Sequence, residues 1–512
     1  MNRRLAGVVA IGALVAAGCG SGKSIISAGN DAKPAVPTVP TVPAITLPGD
    51  TTPIDTGSVA TTAPPTTQPR LLDTLPPCSP GALDAAAANG PVKITFWHGL
   101  SNELGRELER LTDEYNATQQ RVQVSLEFQG GYDPTIDKYL QSDVDNRPDL
   151  VQAPEYAVQL MIDTQSTIPV QACAEASQYD LTPLLPAALN YYATEGVQWA
   201  MPFNVSNPVL YYNKKVFRDA GLDDTKPPLT LAEVSEYGRQ IVQAGAAKYG
   251  LSIDSAPDGG GGWALEQWFA KEGEFYSDNS NGRLAPSTKV LFDGATGVRL
   301  MTELRDVITN GAGFYVGENP SGQDNLLKLA DAAEPATMTI ATSAALGPLL
   351  GFVENGIIPG VGVEDIGVGP MPSPNGALGS LIGGAALWIV DGKGDAKSAA
   401  AWDYMQFLIS ADVQSQWASA TGYVPLRTDA VDLEPLRTTY ANDPRFRVAF
   451  DQLLAAPNSL IYTGPVLGPL REVRVTAAAA MAAIFEGADP QQALSDAAEQ
   501  ANAQIADYNS RR

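Results

Sequence analysis

The sequence predicts an α/β protein preceded by a disordered Pro/Thr-rich tether, and three observations carry the prediction. Composition changes sharply near Gly90, from a Pro-, Thr-, Ala- and Val-rich stretch that cannot bury a core to an ordinary globular mixture. Over residues 92–128 the hydrophobic period passes from alternation to a single helical face and back, which is the strand, helix, strand opening of a lobe with a parallel sheet. Three further runs, near Asn204, Thr339 and Leu387, read as strands that cross the body of the chain.

At 512 residues the chain has room for about three domain-sized units and large cores. Lys and Arg number 33 against 57 Asp and Glu, a net charge of −24, which argues against a nucleic-acid partner or a cationic membrane-binding surface. The cysteines are Cys19, Cys78 and Cys173, with no Cys-x-x-Cys pair, and His98 is the one histidine. Zinc sites need several His or Cys ligands, so no metal site or cofactor is expected and His98 reads as structural.

In chain order, Arg3 and Arg4 precede an apolar segment, 5–15, and Ala16-Ala17-Gly18-Cys19 then places small residues before a cysteine. The segment is too short to span a bilayer and resembles a bacterial lipoprotein signal, 1–18, with Cys19 as the lipidated first mature residue; cleavage at an ordinary secretory signal is the alternative. Residues 19–77 make the tether, where runs such as Pro34-Ala35-Val36-Pro37 favour extended polyproline geometry. Ordered protein is expected from about Gly90, with strands at 92–97 and 122–128 around a helix that sets Leu104, Leu108, Leu111 and Tyr115 on one face. With Cys19 lipidated, Cys78 and Cys173 are the thiols left in an exported protein, so a disulfide is the economical expectation and two free thiols the alternative.

Residues 201–217 organise the middle of the chain. Pro202 and Pro208 bracket a short polar segment ahead of the apolar run 209–212, a rigid crossing beside a ligand site. Thr230-Leu231-Ala232-Glu233 has the form of a capping box and starts a helix through about Ala244. Asp258-Gly259-Gly260-Gly261-Gly262-Trp263 is a loop that brings backbone close to something, with Trp263 either lining that space or buried in the core. A helix is expected over 297–310, strands at 336–341 and 381–390, and a last helix that starts at Asp489-Pro490 and sets Leu494, Ala497, Ala501, Ile505 and Tyr508 on its apolar face.

Several motifs occur in a fixed order across residues 96–508. They are Phe96-Trp97-His98-Gly99, Pro202-Phe203-Asn204 with Ser206, Pro208-Val209-Leu210-Tyr211-Tyr212-Asn213-Lys214, Ile382-Gly383-Gly384-Ala385, Thr421-Gly422-Tyr423 and Pro490-Gln491-Gln492-Ala493-Leu494. In these the chain resembles the solute-binding proteins of bacterial ABC importers, in the group that includes maltose-binding proteins and nearest its glycerol-3-phosphate and glycerophosphodiester binders. The resemblance implies a two-lobe periplasmic-binding-protein-like fold with three hinge crossings, residues 78–204 and 340–387 forming the first lobe and 205–339 and 388–512 the second. It implies a monomeric, non-enzymatic receptor on the outer face of the cell membrane, held there by Cys19, which closes on a small polar solute and delivers it to ABC permease subunits.

The same resemblance implies the site. Tyr132 and Glu155 come from the first lobe, with Glu155 accepting hydrogen bonds from glycerol hydroxyls. Ser206 lies on the first crossing, Thr342 or Ser343 after the second, Gly384 offers a backbone N–H, Tyr423 its hydroxyl and Trp263 an aromatic wall. Arg474 pairs with the phosphate. One departure stands out: the relatives commonly carry a second tryptophan three positions before Trp263, where this chain has Gly260. Losing that wall implies room for a larger headgroup or another polar solute. The alternatives are a sugar or oligosaccharide receptor with no need of Arg474, an exported hydrolase with paired carboxylates, and a structural cell-envelope protein.

Overall fold

The computed structural model describes residues 70–512 apart from Pro320, Ser321, Ala332 and Pro359, and the expected signal peptide, Cys19 and the tether up to residue 69 lie outside the described residues. Order begins earlier than composition suggested. A 3-10 turn, Leu71–Thr74, buries Leu72, and a short helix, Ala82–Ala87, buries Leu83, both against the core. Cys78 between them is bonded to Cys173, with Cα atoms 4.9 Å apart, and Arg70 pairs with Glu175. Residues 70–77, assigned to the tether from their prolines, are therefore stapled to the first lobe.

Two sheets carry the fold. The first runs in the order β2 (Val122–Phe128), β1 (Val92–His98), β3 (Leu150–Pro154), β13 (Gly383–Val390) and β4 (Thr167–Ile168), with β7 (Met201–Ser206) also on β13. β1 is parallel to β2 and β3, whereas β13 is antiparallel to β3, β4 and β7. A small hairpin, β5 (Ala193–Thr194) and β6 (Val197–Gln198), stands apart. The second sheet runs β10 (Gly313–Tyr315), β9 (Tyr249–Ile253), β11 (Ala336–Thr342), β8 (Pro208–Asn213), β12 (Ile366–Pro370). β7 and β8 are buried along their whole length, which is why this stretch shows no alternation.

Helices form where capping and periodicity place them. In the helix Leu231–Gln243 the Thr230 hydroxyl accepts from the Glu233 N–H at 3.0 Å and the Glu233 carboxylate from the Thr230 N–H at 3.1 Å. The last helix, Pro490–Ser510, is capped by Asp489 and buries Leu494, Ala497, Ala501 and Ile505. Among the described residues no helix is long and apolar enough to cross a membrane.

The chain passes between the sheets three times, at places that differ in part from the sequence expectation. The first passage is Asn207 alone, between β7 and β8, beside the expected Asn204. Thr339 does not cross: it lies inside β11, paired to β8 on one side and β9 on the other. The second passage is 371–382, ahead of β13 rather than at Leu387, which is an interior residue of the first sheet. The third follows Val424, which bridges Val205, and ends at the helix Val448–Leu454 on β8 and β12.

Strand pairing consequently divides the chain differently from the lobe boundaries drawn on sequence. β12 belongs to the second sheet, and the helix Asp395–Leu408 packs on β1 of the first. An apolar strand reads the same whichever sheet it joins, because membership is decided by partners distant in sequence. One buried side chain ties the passages together. Gln452 donates to the Pro208 carbonyl at 2.9 Å and to Asn207 Oδ1 at 3.2 Å, and accepts from the Met371 N–H at 2.7 Å.

Candidate functional site

A cleft of about 1130 Å³ opens between the two sheets' lobes, at ends of strands and the turns that follow them. Gly99 directly follows β1 and packs so closely that a Cβ there would lie 2.6 Å from the Gly131 carbonyl carbon. That contact seats Gly130 and Gly131, at φ +94° and +145°, and starts the helix Tyr132–Gln141 with Tyr132 in the cleft. Glu155 enters the cleft directly after β3, Ser206 at the end of β7, and Thr342 at the end of β11.

Tyr423 follows Gly422, whose φ of +82° ends the helix Ala411–Thr421. Its ring stacks on Trp417, which stacks on Phe203 of β7, so the side chain is held from behind. Tyr132, Tyr423 and Asn204 form one polar cluster: Asn204 Nδ2 donates to the Tyr132 oxygen at 2.6 Å, and Gln152 Nε2 donates to Asn204 Oδ1 at 2.7 Å. Burial holds the Tyr132 hydroxyl well above its usual range, so it remains a neutral donor. Gly384 lines the cleft at φ +97°, and a Cβ there would lie 2.0 Å from the Asn204 carbonyl oxygen, so no other residue fits this crossing of β13 over β7.

The glycine loop does something other than open space. Asp254 Oδ1 accepts from the Ala256 and Gly260 N–H groups at 2.9 and 2.8 Å, turning the loop inward. Gly260 is buried and does not line the cleft, and a Cβ on it would lie 2.7 Å from the Asp254 carbonyl oxygen. Its lack of a side chain therefore serves the loop's own folding. Gly262 sits against Arg474, where a Cβ would lie 2.8 Å from the arginine Cα. That approach brings the helix Gly262–Glu272 onto the helix Leu470–Phe485 and sets Trp263 in the cleft wall, its ring on Gly383 and its Nε1 buried with no partner among the described residues.

Arg474 is 1% exposed and is held by three carboxylates. Its Nε and Nη2 donate to the two oxygens of Glu266 at 2.7 and 2.9 Å, the planar fork in which a guanidinium holds a carboxylate. Its Nη1 donates to Glu155 at 2.9 Å, across from the other lobe, and to Asp258 at 3.0 Å. Tyr156 lies under the guanidinium, 5.4 Å from its ring centroid. Burial pushes the Glu155 carboxyl up to about 7, against the pull of Arg474, and raises Glu266 as well.

Tyr132, Glu155, Ser206, Trp263, Thr342, Gly384 and Tyr423 thus share one cleft. Ser343 turns away from it and serves the first passage, its N–H donating to the Asn207 carbonyl at 2.8 Å. Arg474 sits behind the wall, reaching the cleft through Glu155 and Asp258. Sequence reasoning missed Asp258, Tyr156 and Glu266; the glycine run beside Asp258 was a signal, but nothing local marks carboxylates that converge from distant stretches. His98 lies outside the cleft between the rings of Phe96 and Phe128, its pKa lowered to about 4 by burial.

Comparison with known proteins identifies the family of the chain. Residues 110–448 match the bacterial extracellular solute-binding protein family. The sn-glycerol-3-phosphate-binding periplasmic protein UgpB of Pectobacterium atrosepticum is 29% identical over 437 residues, 83% of this chain and 94% of that protein. Its counterpart in Escherichia coli K12 is 28% identical over 426 residues, 81% and 93% of the two chains. Among solved structures, UgpB from Mycobacterium tuberculosis in complex with glycerophosphocholine superposes with a TM-score of 0.65 at 22% identity, covering 82% of this chain and 100% of that one. The sugar-binding protein MalE from Xanthomonas citri gives 0.66 at 17% identity, covering 82% and 98%. The chain belongs to the bacterial extracellular solute-binding protein family, the non-enzymatic solute-binding components of ABC importers.

Proposed function

We propose that the protein is a lipid-anchored receptor, tethered through Cys19, that captures a glycerophosphodiester or glycerol-3-phosphate and hands it to an ABC permease. The observation that carries the reading is convergence: Tyr132, Glu155, Ser206, Gly384 and Tyr423 come from five separate stretches and meet in one cleft, with Arg474 behind its wall. The resemblance to the glycerol-phosphate binders implies a ligand role for these positions. Two tyrosine hydroxyls, a serine and a glutamate suit a glycerol unit, whose hydroxyls both donate and accept. Closure about Asn207, 371–382 and the segment before Val448 would sequester the ligand, with Gln452 as the shared pivot.

A sugar or oligosaccharide receptor is the second reading, and the anionic cluster with its aromatic neighbours Tyr156 and Trp263 favours it. The two are separated by mass spectrometry of ligand released from the purified soluble domain, then calorimetric titration with glycerol-3-phosphate, glycerophosphocholine and maltose. Tight binding of a glycerophosphate ester is expected. Binding of maltose alone would transfer the assignment to sugars.

A further inference from the structure

The inner cleft has a charge balance that a phosphate receptor would not need. Arg474 has five N–H groups, of which four are committed to Glu266, Glu155 and Asp258, leaving a single Nη2 N–H. Its fork, the part that grips phosphate oxygens in pairs, is held by a carboxylate that is itself 1% exposed. Displacing Glu266 would strand a buried charge, so the fork is not available to a ligand. Among the described residues that line the cleft, the remaining cations are Arg106 and Arg110, and both are paired to glutamates on their own helix, Asn102–Thr118.

Asp258 is the member of the cluster that reaches solvent. Its side chain is 56% exposed, against 5% for Glu155 and 1% for Glu266, and it lines the cleft. It does not swing freely, because the loop around it is pinned by the Asp254 carboxylate and by the Trp263 N–H donating to the Pro257 carbonyl at 2.8 Å. On the same cleft wall the Trp263 indole N–H is buried and, among the described residues, has no acceptor.

We infer that Asp258 sets the charge class of the ligand: with Glu155 it receives the cationic or hydrogen-bond-donating end of a phosphodiester, and it repels the dianion of a phosphomonoester. A diester carries one negative charge and offers its cationic or donating end to Asp258 and Glu155, whereas a dianion would meet Asp258 with no unpaired cation lining the cleft to offset it. The inference rests on the glycerophosphate reading above and sharpens it.

The test is calorimetry of the soluble domain and its Asp258→Asn variant with glycerophosphocholine and glycerol-3-phosphate. The substitution is isosteric at a half-exposed position and keeps an oxygen for Arg474. Wild type should prefer glycerophosphocholine by at least tenfold, and Asp258→Asn should lower that preference at least tenfold by weakening the diester and strengthening the monoester. A Glu236→Gln variant, which removes an exposed carboxylate outside the cleft, should leave the preference unchanged. If wild type binds glycerophosphocholine but the preference survives in Asp258→Asn, or shifts equally in Glu236→Gln, the assignment to Asp258 is overturned while the glycerophosphate reading stands. If wild type binds neither ester, that reading falls and the inference with it.

Discussion

Replacing Arg474 by methionine separates a structural guanidinium from a ligand-binding one. The side chain is 1% exposed and its partners Glu155 and Glu266 are 5% and 1% exposed, so Arg474→Met leaves two buried carboxylates without their counterion. Breaking a buried pair from one side costs about 3–5 kcal/mol, a large share of the roughly 5–15 kcal/mol that holds a typical domain together. The loss should depend on pH with a definite sign. In the wild type Glu155 is raised from 4.5 to about 7, so its protonated form favours the native state. The associated stability is fully present below about 4.5 and is lost as pH rises through about 7. Without Arg474 both carboxyls titrate higher still, so the deficit should be largest at pH 8 and shrink toward pH 5. Urea denaturation of the soluble domain at the two pH values reads this directly. An Arg474→Met protein with wild-type stability at pH 8 and a selective loss of affinity would refute the reasoning and make Arg474 a direct ligand contact.

Three further outcomes follow from the same structure. Removing the Cys78–Cys173 bond with a double serine variant should cost about 4–5 kcal/mol by loop-closure entropy for a 95-residue separation, with ligand affinity unchanged; denaturant unfolding under oxidising conditions checks it. Lys271, 2% exposed and with its ammonium bonded, among the described residues, only to the Ala377 and Leu378 carbonyls, has its pKa lowered to about 7 by burial. The unfolded chain therefore binds more protons between about 7 and 10.5, and stability should rise with pH across that window in wild type but lose this component in Lys271→Met, measured by thermal melts over the range. Gly260→Trp, which introduces the tryptophan that the family resemblance implies for this position, should destabilise by at least about 1–3 kcal/mol because its Cβ meets the Asp254 carbonyl at 2.7 Å; a variant of unchanged melting temperature with tighter ligand binding would contradict the loop geometry.

Local chemistry accounts for what was legible. Thr230 and Glu233 announce their helix because both halves of the capping box lie within four residues, and Asp489-Pro490 does the same for the last helix. Alternation in β1 survives because one face of that strand is buried more deeply than the other. The fold class and Glu155, Tyr132 and Tyr423 as cleft residues were readable from ordered motifs spanning the chain. The start of order was misplaced because the prolines at 76, 77 and 80 outweighed Leu72 and Leu83, whose burial depends on a sheet formed later in the sequence.

The sequence by itself determined the α/β class and, through the family resemblance, two lobes joined by three crossings, of which the first, beside Pro208, lies where it was expected. Tertiary structure alone decided which sheet each apolar strand joins, since β11 and β12 pair through hydrogen bonds to β8 that no local pattern encodes. It also decided what Gly260 and Arg474 are for. A glycine reads as missing bulk until its neighbours are in place, and here Asp254 occupies the space a side chain would need. An arginine reads as a phosphate ligand until its carboxylates arrive from three other stretches, because the charge of a buried site is a sum over residues that only folding brings within hydrogen-bonding distance.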